Sequence, residues 1–299
     1  MRTTVTRTAQ LLTALGLLAA GCGTATQKVE GSDPAPETRT RAGAVAKAWD
    51  GSPAAAAWRK GYYPMADTVQ LPEDAFHNEA DKEAYLTENF VLRADLPKSP
   101  KKETRVTWQG GGSLTLPLMG ARETYERLDR GDGPAPQLTV TGVKLGETTL
   151  ATSRGPATVP AWLFTLEGYD TPLKRVALDP SKLPRPPIGP ARETGTNDLN
   201  ELQELVEVAE DERSLVVHAF HGSCDDGPRV KALETDGSVV LSAYVADSHD
   251  DGLPCTADLR SKKVTVNLDR PLGDRILLDA FTGRPVPHGN LTGPSPSWR

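Results

Sequence analysis

The chain has 299 residues, of which 37% are hydrophobic, 25% are charged and 5% are aromatic. That composition is too apolar for a disordered chain and too polar for a protein with several membrane spans. The formal net charge is −6 at pH 7, and basic residues are not clustered, which argues against a nucleic-acid partner. With 27 glycines and 25 prolines, the chain is expected to form many short elements.

The N-terminus has the pattern of a secretory signal peptide. Arg2 and Arg7 form a positive segment, and an apolar run follows from residue 11 to residue 20. This run is about half as long as a helix needs to cross the ~30 Å hydrocarbon core of a bilayer. We therefore expect a cleaved signal peptide over residues 1–21 rather than a spanning helix.

The stretch that ends in Ala19, Ala20, Gly21 and Cys22 resembles the signal of bacterial lipoproteins. In that family the chain is cut before an invariant cysteine, whose thiol carries a diacylglyceryl group. The resemblance implies lipidation of Cys22 and anchoring on the extracytoplasmic face of the cell membrane, which two or more acyl chains make stable. Ala19 stands where leucine is commonest in the family, so an ordinary secretory cleavage at the same place is the alternative.

Two cysteines remain once Cys22 is set aside, and an even number is typical of an oxidising compartment. Cys224 and Cys255 are therefore expected to form a structural disulfide. Closing the loop between Cys224 and Cys255 would stabilise the fold by roughly 3–4 kcal/mol on the chain-entropy model. A redox or metal-binding pair is the less favoured alternative, because neither cysteine lies in a Cys-x-x-Cys motif.

The composition along the chain predicts a mainly β fold with a few short helices (α+β), built as two β-rich modules with antiparallel sheets. Residues 179–198 hold five prolines and few apolar groups, and they mark the boundary between the modules. The predicted segments are a signal peptide (1–21), a flexible tether (22–41), an N-terminal α+β module (42–178), a Pro-rich linker (179–198), a C-terminal β module with the disulfide (199–288) and a disordered tail (289–299).

In the N-terminal module, one or two short helices are expected within residues 42–58, and a weakly amphipathic segment at 79–90. Short β-rich runs begin near residue 104, and 120–128 is the one good helix candidate among them. The hydroxyl-rich stretch 139–152 is interpreted as a solvent-facing hairpin that turns near Gly146.

In the C-terminal module, β-rich runs at a spacing of about 10–12 residues indicate a meander sandwich or a small barrel. The stretch 202–210 fits either a strand or a helix.

Four stretches of the mature chain carry a wider resemblance: GYYPMADTVQLP, VTWQGGGSLTLPL, GPATVPAWLFTLEG, and the region from HGSCDDG to LDRPLGDRILLDAFTGRPV. They are similar to those of a family of actinobacterial lipid-anchored lipoproteins, over about residues 58–287. The resemblance implies an anchored extracytoplasmic domain pair with one disulfide, and it implies no activity.

The richest group of polar side chains surrounds the expected disulfide: His218, His221, Asp225, Asp226 and an acidic stretch at 247–258. A cation site there is disfavoured, because side chains alternate along a strand and the two histidines would face opposite ways. The acidic stretch copies a calcium-binding loop only in part, since a histidine replaces one oxygen ligand and strands flank it. We expect no metal and no cofactor.

Aromatic residues offer one candidate ligand surface. Trp162 lies in an apolar run and is expected in the core, whereas Tyr62 and Tyr63 stand beside Pro64 and are interpreted as an exposed stacking platform.

The sequence contains no Gly-x-Ser-x-Gly or His-Glu-x-x-His motif. The favoured function is therefore a non-enzymatic binding module, anchored to the membrane through Cys22, with an envelope protein, a cell-wall component or a small molecule as its ligand. The alternatives are a cell-envelope hydrolase with unidentified catalytic carboxylates and an envelope spacer without a ligand. A closed pocket that holds acids of raised pKa would favour the hydrolase.

Overall fold

The computed structural model describes residues 36–73, 75–98, 102–131, 133, 136–191, 199–245, 256 and 258–289. All of them belong to one compact unit. The predicted signal peptide, Cys22 and most of the predicted tether lie outside the described residues. Within the described part, no helix is both long and apolar enough to cross a membrane.

The fold is mainly β with a few short helices, which confirms the predicted fold class. Its strands form an N-terminal β set, between residues 69 and 176, and a C-terminal β set, between residues 199 and 279. No ladder among the described strands joins one set to the other.

The N-terminal β set is one mixed sheet. Its central strand pairs along one edge with a long neighbour and along the other edge with two shorter strands. The strands are β1 (Val69–Gln70), β2 (Phe90–Leu92), β3 (Glu103–Trp108), β4 (Ser113–Pro117), β5 (Leu138–Thr152), β6 (Gly155–Leu166) and β7 (Leu173–Val176). The central strand is β6, and its long neighbour is β5.

The predicted turn near Gly146 is wrong, because β5 runs straight through it and turns only at residues 153–154. Gly146 lies opposite Ala161 in the β5–β6 ladder, and a Cβ at this position would lie 2.7 Å from a methyl carbon of Leu163. The glycine therefore allows close packing inside a strand rather than a reversal of the chain.

Helices α3 (Glu79–Leu86) and α4 (Ala121–Glu126) cover one face of this sheet. The second lies within the predicted helix 120–128, which is confirmed. Their buried side chains, including Ala84 and Tyr125, share a core with Trp162 and Phe164 of β6.

The C-terminal β set is a sandwich of two sheets, one of the two architectures that the spacing of its strands indicates. One sheet contains β9 (Leu202–Val208), β10 (Ser214–Gly222) and β13 (Leu259–Asn267), and the other contains β8 (Leu199–Asn200), β11 (Pro228–Glu234), β12 (Ser238–Val245) and β14 (Ile276–Asp279). The stretch 202–210, which the sequence left ambiguous, therefore forms strand β9. Leu215 and Val217 of the first sheet share a core with Val239 and Leu241 of the second.

Strand β12 is buried on both faces, which explains its nearly continuous apolar sequence SVVLSAYV. It pairs parallel with β14, and β2 pairs parallel with β5, so the prediction of purely antiparallel sheets is wrong at these two ladders. Covering the outer face of β12 needs a further layer, which the N-terminal helices provide.

Helices α1 (Pro36–Trp49) and α2 (Pro53–Lys60) form that layer. Ala42, Val45, Ala46 and Trp49 are buried at helical spacing against Val240, Ile276 and Leu278 of the C-terminal β set. Two predictions are therefore wrong: residues 36–41 are helical rather than a tether, and residues 42–60 pack on the C-terminal module rather than belonging to the N-terminal one.

Side chains of α1 also bind backbone carbonyls of the C-terminal β set. Trp49 Nε1 donates to the Gly283 carbonyl at 2.8 Å, and Arg41 Nε donates to the Ala280 carbonyl at 2.8 Å. These long-range bonds fix the start of the fold to its end.

The described part of the predicted linker, residues 179–191, is packed rather than free. Ala191 N donates to the Phe281 carbonyl at 2.7 Å, and Leu183 and Ile188 contact the core beneath α1 and α2. Proline limits the conformations of such a segment in the unfolded chain, so ordering it against the core costs less entropy.

Candidate functional site

The expected disulfide lies at the edge of the described residues, because Cys255 is outside them. Cys224 lies in the turn after β10, next to Ser223. Ser223 Oγ lies 2.9 Å from both the carbonyl and the hydroxyl oxygen of Thr256, so the residues beside the two cysteines are in contact. The pairing of Cys224 with Cys255 stays a prediction.

The polar residues near that turn mostly hold the backbone. His218 Nδ1 lies 2.7 Å from Glu204 Oε1, His221 Nδ1 lies 2.8 Å from the Gly222 carbonyl, and Asp225 accepts a bond from Gly222 N. Hydrogen bonds from Thr256 and Arg260 lower the pKa of Asp258. Among the described residues, no three histidine, cysteine or acidic side chains converge on one point, and 246–255 lies outside them.

Tyr62 and Tyr63 are not a ligand surface, because they are 0% and 1% exposed. Successive side chains of an extended segment point to opposite sides. Tyr62 accordingly enters a core with Val106 and Trp108 of the N-terminal β set, while Tyr63 enters the core of α1, α2 and the C-terminal β set. The prediction of an exposed platform is wrong, since each ring fills a different core.

Backbone bonds fasten this dipeptide on both sides. Tyr62 N donates to Ser181 Oγ at 2.9 Å, and Ser181 N donates back to the Tyr62 carbonyl at 2.8 Å. Ser153 N donates to the Tyr63 carbonyl at 3.0 Å. Tyr63 also stacks on Trp58 with ring centroids 4.4 Å apart. We refer to residues 62–63 as the tyrosine junction.

A cavity of about 440 Å³ lies beside the tyrosine junction, between the two β sets, and we call it the inter-set cavity. Trp58 and Met65 line it from the region of the junction, and the β5–β6 turn contributes a second wall. Its lining residues are Trp58, Met65, Ala151, Thr152, Ser153, Gly155, Pro156, Leu205, Val208, Ala209, Glu210, Glu212, Leu272, Gly273, Arg275, Leu277, Val286 and His288.

The walls of the inter-set cavity are mainly apolar, with a few polar groups. The Arg275 guanidinium has a structural role, because it donates to Glu234 Oε2 at 2.7 Å and to the carbonyls of Arg270 and Pro271. Ser153 Oγ and His288 Nδ1 are buried with no hydrogen-bond partner among the described residues. Unpaired buried polar atoms are rare in native proteins, and these two are closed off from the open space of the cavity in the present side-chain positions.

The buried acid with the clearest raised pKa lies elsewhere. Burial raises the pKa of Asp279 to about 7, although its carboxylate accepts bonds from Phe281 N, Thr282 N and Thr282 Oγ1. Asp279 is absent from the lining of the inter-set cavity, and its bonds hold the turn that follows β14. We therefore assign it a structural role.

The sequence alone did not indicate the inter-set cavity. Its walls come from α2, the β5–β6 turn and three parts of the C-terminal β set, which meet only in the folded chain. Trp58 is the tryptophan that lines the cavity.

No protein-family model matches the chain, and comparisons with curated proteins and with solved structures found no significant match. The assignment of function consequently depends on the geometry described above.

The tyrosine junction generates a matched pair of variants. The Tyr62 hydroxyl is buried without a partner among the described residues, so Tyr62→Phe should leave the free energy of unfolding unchanged or slightly higher. The Tyr63 hydroxyl donates to the Lys182 carbonyl at 3.2 Å, so Tyr63→Phe should lower the free energy of unfolding by about 1 kcal/mol. Urea denaturation measures the free energy of unfolding of both variants. A larger loss of stability in Tyr62→Phe than in Tyr63→Phe would contradict the assignment of the hydrogen bond to Tyr63 alone.

Proposed function

We propose that the protein is a lipid-anchored extracytoplasmic binding protein that takes a small, largely apolar ligand in the inter-set cavity. The observation that carries the proposal is the cavity itself. Its volume of about 440 Å³ lies in the range of small-molecule sites, which typically measure roughly 300–1,000 Å³ and combine apolar walls with a few polar groups.

The position of the cavity supports this function. Ligand sites occur preferentially where two structural units meet, because each unit supplies a wall without exposing its own core. Val208 supplies apolar surface at the rim of the cavity, with 36% of its area exposed, and Leu272 and Met65 provide further apolar lining. A rotation of the Ser153 or His288 side chain would bring its unpaired Oγ or Nδ1 to a polar atom on an otherwise apolar ligand.

Binding accounts for the site better than hydrolysis does. Ser153 and His288 line the same cavity, yet the unpaired Ser153 Oγ and His288 Nδ1 do not hydrogen-bond to each other, as a nucleophile and its base would. The acid whose pKa is raised, Asp279, is used by a turn outside the cavity.

The anchoring part of the proposal depends on the sequence around Cys22, together with the expected disulfide. The contact between Ser223 and Thr256 supports a bridge between the neighbouring cysteines, and such a bridge is typical of extracytoplasmic proteins.

Lipidation is tested by substituting the modified cysteine. Cys22→Ser should abolish labelling with a radioactive fatty acid and move the protein from the membrane fraction to the soluble fraction, because the thiol that accepts the diacylglyceryl group is gone. Cys224→Ser is the matched control and should remain labelled. Continued labelling of the Cys22→Ser chain would overturn the anchor.

Ligand binding is tested with the neutral fluorescent probe N-phenyl-1-naphthylamine on the full Cys22→Ser chain, which needs no detergent. Ala151→Trp should fill the inter-set cavity and weaken binding at least about tenfold. Thr149→Trp is the matched control, because Thr149 is exposed on the same face of β5, outside the cavity lining. Absence of binding to the parent chain, or equal binding by both variants, would contradict the proposal.

A further inference from the structure

A second cavity, of about 360 Å³, lies between the N-terminal sheet and helices α3 and α4. Its lining includes three arginines, Arg127, Arg130 and Arg175, against a single acid, Glu88. The lining residues alone carry a formal charge of +2, and Glu123 and Asp179, which pair with Arg127 from outside the lining, balance it. We call this the arginine cavity.

Arg175 is held at the base of the arginine cavity by the sheet. It lies in β7 directly opposite Trp162 of β6 and Val69 of β1. Directly opposed residues of antiparallel strands share a face, so Arg175 projects from the face that carries Trp162 and the two helices. Because β7 pairs with β1 on one side and with β6 on the other, the position of the Arg175 backbone is fixed.

The other two arginines already have carboxylate partners. Arg127 Nη1 lies 2.5 Å from Asp179 Oδ1, and its Nη2 lies 2.7 Å from Glu123 Oε1. Arg130 pairs with Glu88. Their side chains are 39% and 63% exposed, so they lie towards the mouth of the cavity.

Arg175 differs from both, because its guanidinium forms no hydrogen bond or ion pair with any described residue, and its Nε is buried without a partner. Burial, together with the charges of Arg127 and Arg130, lowers the pKa of Arg175 to about 10 against the opposing charge of Glu88, and Arg175 is still a cation at neutral pH. A half-buried cation that no carboxylate pairs with directly is less stable than one with an ion-pair partner. An anion in the cavity would remove that cost.

We propose that the arginine cavity is a binding site for a dianionic tetrahedral oxyanion, a phosphate or sulfate group, with Arg175 as its principal ligand. The planar guanidinium offers parallel N–H donors that match two oxygens of such a group. The Tyr85 side chain lines the same cavity, and its hydroxyl provides a further donor. Arg127 and Arg130 lie beside it, and each guanidinium has five N–H donors, more than its carboxylate partners use, so both can bind further oxygens that a phosphate has and a monocarboxylate lacks.

This site is separate from the inter-set cavity, and no residue lines both. The proposal therefore stands or fails independently of the apolar ligand proposed above.

The test is calorimetric titration of the full chain with inorganic phosphate at constant ionic strength. Separate titrations use sulfate and acetate. Phosphate and sulfate should bind, and acetate should bind at least about tenfold more weakly. Arg175→Gln should weaken phosphate binding at least about tenfold. Arg105→Gln, an exposed arginine on β3 outside the cavity, is the matched control and should bind as the parent does.

Thermal unfolding of the same proteins separates a binding role from a structural one. Without phosphate, Arg175→Gln should unfold at the same temperature as the parent or higher, since a half-buried charge without an ion-pair partner has been removed. Phosphate should raise the unfolding temperature of the parent by several degrees and leave that of Arg175→Gln unchanged. If Arg175→Gln fails to fold, Arg175→Lys should fold and bind phosphate more weakly than the parent.

Three results would overturn the proposal. They are the absence of phosphate binding by the parent chain, equal phosphate binding by Arg175→Gln and Arg105→Gln, and acetate binding as tight as that of phosphate.

Discussion

The whole fold depends on the tyrosine junction, where two adjacent rings enter two different cores. Because residues 62–63 are extended, Tyr62 packs with Trp108 in the N-terminal β set and Tyr63 packs with Trp58 against the C-terminal β set. The two sets share no strand ladder among the described residues, so this dipeptide and the segment bonded to it at Ser181 carry much of the connection. The inter-set cavity lies beside this junction, with walls from both sets.

Much of the fold could be predicted from local patterns. Alternation and turn residues indicated the C-terminal sandwich, and 120–128 indicated α4. Local patterns failed where tertiary contacts decide. Gly146 is expected at a turn but allows close packing inside β5, and residues 36–41 are expected in a tether but form the first part of α1, whose buried side chains pack on the C-terminal β set.

The candidate sites could not be predicted from the sequence either, because they too depend on tertiary contacts. Tyr62 and Tyr63 next to proline suggest an exposed platform, and only the packing of both cores shows that they are buried. Arg175 has no distinguishing sequence context, since its significance arises from the carboxylates that pair with Arg127 and Arg130 and leave Arg175 without one. The inter-set cavity and the arginine cavity are both lined by residues that are far apart in the sequence and meet only in the folded chain.

Native-state hydrogen exchange, followed by mass spectrometry on the parent chain and on Tyr62→Ala, tests the coupling of the two β sets most directly. In the parent, the slowest amides of β6 and of β12 should exchange with the same free energy of opening, because both sets unfold as one unit. In Tyr62→Ala, the cavity left in the N-terminal core should lower that free energy for β6 more than for β12. Different opening free energies for β6 and β12 in the parent chain would contradict the account.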